Sequence, residues 1–306
     1  MGDRARDPGA VSACVLLAGA IKPSPLVTAT GFSTLDLLTG PDESLLDRWI
    51  LRLRAIGIPA AQVIAVHGSN IPSPTASAET IAVRIRRERD HLRGPAGAAH
   101  DACQDLADHD TVLIAEAKRD PGTSLENLAR VWDEGDADII VARNPAGSPA
   151  GLYIARRELL DLVPARGFMD LKEQWLGAAI GQGARVRVVD IPPPGTLPVR
   201  ILPQYLRLAL AEGGATGFTT GVIEASQRRV ALVSPAATID AGADVIDSVV
   251  MEGARVGAGA LVVRCLVCPG ARVEPGAEVV DAVITETGVR SDKMGLATAG
   301  FSQGWG

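Results

Sequence analysis

Apolar positions fall into two regimes along this chain. Over the first two thirds they come as short runs separated by stretches of helical spacing. Residues 13–19, ACVLLAG, form an apolar run ending in glycine, the pattern of a buried strand feeding a loop. Ser44 to Gly57 puts Leu45, Leu46, Trp49, Ile50 and Leu53 on one helical face and closes on Gly57 as a C-cap. AAQVIAVHG, starting at Ala60, reads as a second strand. Thr111–Ala115 and Ala137–Ala142 read as further strands, and Ser124–Asp133 as a helix with Leu125, Leu128 and Val131 on its apolar side. Strands alternating with helices predict a mainly parallel sheet covered on both faces.

The last third follows a different rule. Residues 234–250, 251–267 and 268–284 align without gaps at a period of 17. Ile239, Val256 and Val273 share one phase, Val245, Val262 and Val279 a second, and Val250, Val267 and Ile284 a third, with Val233 starting the series. Gly242, Gly259 and Gly276 mark turns. β-Branched residues about six apart, with Gly and Ala between them, suit a triangular coil of short strands in which inward side chains stack from one turn to the next. The pattern resembles the hexapeptide-repeat left-handed parallel β-helix, with one corner shortened by a residue. Val249, Val263 and Val283 lie outside the inward phases, which leads us to expect self-association through the coil. The coil has no histidine, whereas hexapeptide acyltransferases generally use a histidine base, and this argues against acyl transfer; His67, His91, His100 and His109 all precede it. Cys265 and Cys268 form a lone C-x-x-C without two further ligands nearby, so both are read as structural.

Bulk properties narrow the rest. A formal charge of −6 and a pI near 5.3 argue against a nucleic-acid partner, and Arg84, Arg86, Arg87 and Arg89 read as one local solvated run. The four cysteines lack disulfide spacing, which suits a reducing cytoplasm. Met1–Ala10 is polar, without the apolar stretch of a signal peptide, and no later run is long enough to span a bilayer, so neither secretion nor membrane insertion is expected. The expected divisions are a disordered start at 1–10, an α/β domain over 11–212, a linker at 213–228, the β-helix over 229–288 and a glycine-rich tail at 289–306.

The order of pieces over residues 11–285 resembles the sugar-phosphate nucleotidyltransferases, which include the glucose-1-phosphate and mannose-1-phosphate enzymes. LLAG at Leu16–Gly19 resembles the start of that family's glycine-rich loop, and RGPAGAAH at Arg93–His100 its nucleotide-contacting segment. Gly151 to Leu176 resembles its sugar-facing strand, helix and acidic segment. Gln204-Tyr205-Leu206 resembles its exit into the helix before the β-helix. The resemblance implies a Rossmann-like GT-A domain and a nucleotide or nucleotide-sugar ligand.

It also implies a site with parts missing. The phosphate loop reads AGAIKPSPL, where Gly19 is the loop glycine, Lys22 the basic group, and Pro23 and Pro25 lack the N–H that would bind phosphate. Aligned with the family, Lys118 takes the place of one metal-binding aspartate and Pro198 that of the other, so no metal or cofactor is expected. Glu116 and Asp120 flank Lys118, and a shift of two residues restores a carboxylate. With Lys22 they would be the catalytic and Mg²⁺-holding groups of an active enzyme. Gly94, Ala96 and Gly97 are either a plain strand-to-helix turn or a nucleotide-base contact. Asp170 and Lys172 are either a helix cap and its neighbour or sugar-phosphate contacts, and Tyr153 is sheet core or faces the sugar. Gly151 belongs to the same implied binding set. His100 reads as a surface helix residue.

Three functions remain open at this stage. The chain is a non-catalytic nucleotide-sugar-binding or regulatory subunit, an active nucleotidyltransferase with rearranged ligands, or a structural subunit. The coil would pair with a second copy or with a related catalytic chain.

Overall fold

The computed structural model describes residues 10–19, 23–65, 82–87, 93–122, 124–211 and 231–290. The expected linker at 213–228 lies outside them, as do Lys22, residues 1–9 of the expected disordered start and residues 291–306 of the tail.

The α/β part is built on strands β1 (Val11–Leu17), β2 (Leu38–Gly40), β3 (Glu43–Ser44), β4 (Ala60–Ala65), β5 (Ala82–Arg87) and β6 (Thr111–Glu116). It continues with β7 (Arg119–Asp120), β8 (Ile139–Arg143), β9 (Pro149–Arg156), β10 (Val186–Asp190) and β11 (Leu197–Pro198). Seven of these form one sheet in the order β10-β8-β9-β6-β1-β4-β5. All neighbours pair in parallel except β9, which is antiparallel to both β6 and β8. The mainly parallel sheet read from the sequence is therefore present. Its interior strand β1 is buried on both faces, which is why it reads as an unbroken apolar run.

Helices α1 (Pro25–Thr30), α2 (Leu45–Ala55), α3 (Gly94–Ala102), α4 (Ser124–Asp133), α5 (Leu176–Gly181) and α6 (Leu202–Ala211) accompany the sheet. In α2, Ser44 Oγ accepts from Asp47 N while Asp47 Oδ2 accepts from Ser44 N, so two otherwise orphaned donors satisfy each other. The five apolar residues expected on its inner face are all buried, and Gly57 follows with φ +77°. The segment after β9, where the resemblance implied a helix, is a short 3-10 helix over Arg157–Leu162. His100 is not a surface residue either. Its Nδ1 lies 3.0 Å from Asp101 Oδ1 and 3.4 Å from an Arg93 nitrogen, and its side chain is largely covered.

The coil consists of β12 (Ala231–Val233), β13 (Thr238–Ile239), β14 (Asp244–Ile246), β15 (Ser248–Val250), β16 (Arg255–Val256) and β17 (Leu261–Val263). These are followed by β18 (Leu266–Val267), β19 (Arg272–Val273), β20 (Glu278–Val280), β21 (Val283–Thr285) and β22 (Gly288–Arg290). They make three separate sheets of parallel strands, β12-β15-β18-β21, β13-β16-β19 and β14-β17-β20, and β22 closes the first as an antiparallel edge. Val289 and Arg290, the first residues of the expected tail, belong to β22.

Each rung pairs with the residue 17 positions on, as in Val245↔Val262↔Val279 and Ile239↔Val256↔Val273. The corners require left-handed backbone. Gly242, Gly259 and Gly276 supply it at one corner, and Asp247, Arg264 and Asp281, with φ near +50°, at another. Arg264 and Asp281, one rung apart, form an ion pair at 2.7 Å. Cys265 occupies the same rung position as Ser248 and Ala282, and its N–H donates to Ser248 Oγ at 2.9 Å. That is a small-residue slot, in keeping with a structural cysteine.

Val249 and Val283 correct an expectation. Both are fully buried, with Leu232, Leu266 and the inward Val250 and Val267, in the same core cluster as Tyr205 and Leu206 of α6 and Leu26 of α1. They form an apolar ladder, Leu232↔Val249↔Leu266↔Val283, on the outer side of the first coil sheet. α6 packs on β12 and β15 and α1 on β21, so the chain's own helices cover that ladder and no partner is needed to do so. Val263 is only partly covered. Among the described residues no helix is long and apolar enough to cross a membrane.

Two measurements test this packing. Tyr205 is fully buried and its hydroxyl donates to Leu38 O at 2.8 Å, so Tyr205→Phe should lose about 1–2 kcal/mol in denaturant unfolding, the penalty for an orphaned carbonyl. An unchanged midpoint would mean that water replaces the bond. Burial raises the Cys103 and Cys268 thiols to about 12 and Cys265 to about 11, and holds Cys14, with Cys103 beside it, well above the usual thiol range. An aromatic disulfide reagent at mildly alkaline pH should therefore titrate no thiol in the native protein and all four after denaturation.

Candidate functional site

β1 and β6 end side by side. Leu17 pairs with Glu116, and just beyond it Ala117 N–H donates to Leu17 O at 3.1 Å. In open α/β sheets the loops diverge at the carboxyl ends of such strands and leave a crevice. Here the crevice is a cavity of about 1390 Å³, above the roughly 300–1,000 Å³ common for small-molecule sites.

Three segments fix its most strongly charged part. The indole of Trp49 in α2 donates to Ala117 O at 3.1 Å, and Val199 N–H donates to Lys118 O at 2.9 Å. β7 and β11 pair through Arg119↔Pro198, and Leu26 N–H of α1 donates to Arg200 O at 3.0 Å. Lys118, Pro198 and Arg200 are thereby brought to one wall.

Glu116 at this wall is engaged by two guanidinium groups. Its Oε2 accepts from Arg119 Nε at 2.8 Å and from an Arg200 terminal nitrogen at 3.4 Å. Gly151 makes room for the first of these pairs. It has φ +71°, and a Cβ built on it would lie 2.8 Å from Arg119 Nε and 3.0 Å from Glu116 Cδ. Lys118 is half-buried and has no ion-pair partner among the described residues. Burial, with the Arg200 charge beside it, holds its ammonium below the usual lysine range.

Tyr153 is part of the sheet core, one of the two sequence readings, and it also lines the cavity. Burial, with the charges of Glu116 and Asp170 nearby, pushes its phenol up to about 12. Asp170 is a cap: its Oδ1 accepts from Lys172 N at 2.7 Å and Glu173 N at 2.9 Å at the start of the Leu171–Trp175 turn. Asp170 and Lys172 also border the cavity.

Gly19 and Gly94 line the cavity as well, whereas Ala96 and Gly97 do not. Gly94, with φ +72°, lets Phe168 and Met169 lie against it, since a Cβ there would sit 2.7 Å from Met169 O. Gly97 is a seat for Arg93, whose Cβ would be 2.6 Å from an added methyl, and Ala96 is core. Asp120 faces away toward α2. It lies 3.8 Å from an Arg48 nitrogen and accepts from Gly122 N–H, and it is not part of the lining. The structure thus gathers Gly19, Gly94, Glu116 and Gly151 with Tyr153, Asp170 and Lys172, and leaves out Ala96, Gly97 and Asp120. Lys22 lies outside the described residues.

Sequence reasoning missed Arg119, Arg200 and Asn144. The basic residues flanking Lys118 and Pro198 were the available signal for the arginines. Asn144 is buried. Its Oδ1 accepts from Thr196 N at 2.9 Å, and its Nδ2 donates to Ser148 Oγ and Pro149 O, each at 3.2 Å. It ties the β8–β9 connection to the 193–198 loop. Among the described residues no three His, Cys, Asp or Glu side chains converge as a metal site.

Solved structures share this fold. UDP-glucose pyrophosphorylase from Acinetobacter baumanii is 12% identical, with a TM-score of 0.54 over 68% of this chain and 95% of its own. A putative glucose-1-phosphate thymidylyltransferase from Bacillus anthracis is 11% identical, with a TM-score of 0.53 over 70% of this chain and 98% of its own. HddC from Yersinia pseudotuberculosis is 12% identical, at 0.50 over 65% and 98%. The chain has a nucleotidyltransferase-like fold. No family model matches it, and no curated protein does.

Gly151→Ala should cost about 1–2 kcal/mol through its left-handed φ alone, and more as the new methyl displaces Arg119 from Glu116. Urea unfolding checks this. A variant as stable as the parent would show that this part of the cavity wall is soft.

Proposed function

We propose that this chain is a nucleotidyltransferase-fold protein that holds a nucleotide sugar in the cavity without making or breaking its phosphate bonds. The observation that carries the reading is the charge pattern around Glu116. A dication that bridges phosphates needs oxygen ligands free to coordinate it. The carboxylate at this wall is already paired with Arg119 and Arg200, Lys118 adds a positive charge to the same cavity lining, and Pro198 has no side-chain oxygen. These residues do not fit Mg²⁺. The cavity itself, with the predicted lining residues gathered around it, supports retained binding.

On this reading the coil is a left-handed β-helix of the hexapeptide class. One of its faces is occupied by α1 and α6, and the other two would receive a second copy or a related catalytic chain. Val280, exposed at the edge strand β20, supports that role.

The test is a thermal-shift panel of nucleotide sugars, nucleoside triphosphates and sugar 1-phosphates with Mg²⁺ and with EDTA, alongside a phosphorus NMR assay of pyrophosphorolysis. A nucleotide sugar at a hundred times its Kd should stabilise the fold by about 2.7 kcal/mol in EDTA, and no triphosphate should form. Mg²⁺-dependent turnover would instead establish an active enzyme with rearranged ligands, and no shift with any compound would leave a purely structural subunit.

A further inference from the structure

We propose that the cationic wall formed by Lys118, Arg119 and Arg200 binds a diphosphate group directly, with the lysine ammonium supplying charge that a metal ion would otherwise bring. This deepens the nucleotide-sugar reading and rests on it for the identity of the whole ligand. Two guanidinium groups share one carboxylate here and Lys118 lines the same cavity, so this wall carries an excess of positive charge. Arg119 is held by Glu116 and reaches Thr196 Oγ1 at 3.4 Å. Arg200 is more than half exposed and shares the same carboxylate oxygen at the longer distance.

Lys118 is the informative member. An ammonium taken partly out of water beside a like charge is disfavoured unless an anion joins it. None of the described carboxylates forms an ion pair with it. Its backbone is clamped through its own carbonyl and that of Ala117, so it cannot retreat by moving the turn. The position is costly in the empty protein and is relieved by a ligand anion. The charge excess matches the dianionic linkage of a nucleoside diphosphate sugar, and the same chemistry is offered by inorganic pyrophosphate. Arginine supplies paired donors to phosphate oxygens, and lysine acts as a point charge between them.

The experiment is isothermal titration in EDTA with UDP-glucose, dTDP-glucose and inorganic pyrophosphate, using the full chain and its Lys118→Met, Lys118→Arg and Arg200→Gln variants. For at least one ligand, Lys118→Met should weaken binding tenfold or more and Lys118→Arg should restore most of it. Adding Mg²⁺ should not tighten it. The apo Lys118→Met protein should melt no lower than the parent, because an unpaired, partly buried charge has been removed, and this separates lost binding from lost folding. Nucleotide-sugar binding that is indifferent to Lys118→Met, or that needs Mg²⁺, overturns the cationic wall while leaving the binding function intact. Lys118-dependent binding of pyrophosphate alone supports the wall and refutes the nucleotide-sugar assignment. Binding of no ligand overturns both.

Discussion

The turn at Ala117–Lys118 is the constraint on which the cavity depends. Its peptide groups are satisfied by partners from three places: Leu17 O at the end of β1, the Trp49 indole in α2, and Val199 N–H beside β11. A buried backbone polar group has to find a partner, so none of these contacts can be dropped without a penalty of the order of a hydrogen bond. The side chains at 116, 118 and 119 are consequently presented from rigid backbone, and their chemistry is set before any ligand arrives. A lysine on a mobile loop would turn to water; this one is held half-covered beside Arg200.

The cavity spends stability to keep that arrangement. Like charges sit close together, Gly151 and Gly94 take up left-handed backbone to leave space, and Asn144 uses its amide to join two loops. Elsewhere the chain is conservative. The α2 cap is reciprocal, Arg185 is paired with Asp136 and Asp138, and the thiols are inert small residues in the core. Locally disfavoured choices concentrated at one crevice are what a binding site requires of a fold.

The sequence was most legible where one local signal repeats. The helix at 45–55 declared itself through the spacing of Leu45, Leu46, Trp49, Ile50 and Leu53 and through the Gly57 that closes it. The coil did so through glycines at a fixed period, which mark the left-handed corner at Gly242, Gly259 and Gly276. Legibility failed where a residue's meaning depends on what lies across space. Val249 and Val283 have the composition of an interface, and only the placement of α6 and α1 reveals that the interface is internal. Gly97 and Ala96 sit in the same short motif as Gly94 yet face the core, since adjacent positions at a helix start point in different directions. Arg119 and Arg200 lie 81 positions apart in sequence and meet on one carboxylate through the pairing of two very short strands.

The outer ladder of Leu232, Val249, Leu266 and Val283 has an evolutionary consequence. Because the docking positions recur with the same period as the core positions, inserting or deleting one residue in any corner would shift every later rung by one position and could turn outward residues such as Arg255 and Arg272 into the inward slots of Val256 and Val273. Only whole 17-residue units preserve the phase. Growth or shrinkage of the coil in descendants of this chain is therefore quantised, and it is bounded on the first sheet by β22, whose antiparallel pairing covers the edge where another parallel rung would start.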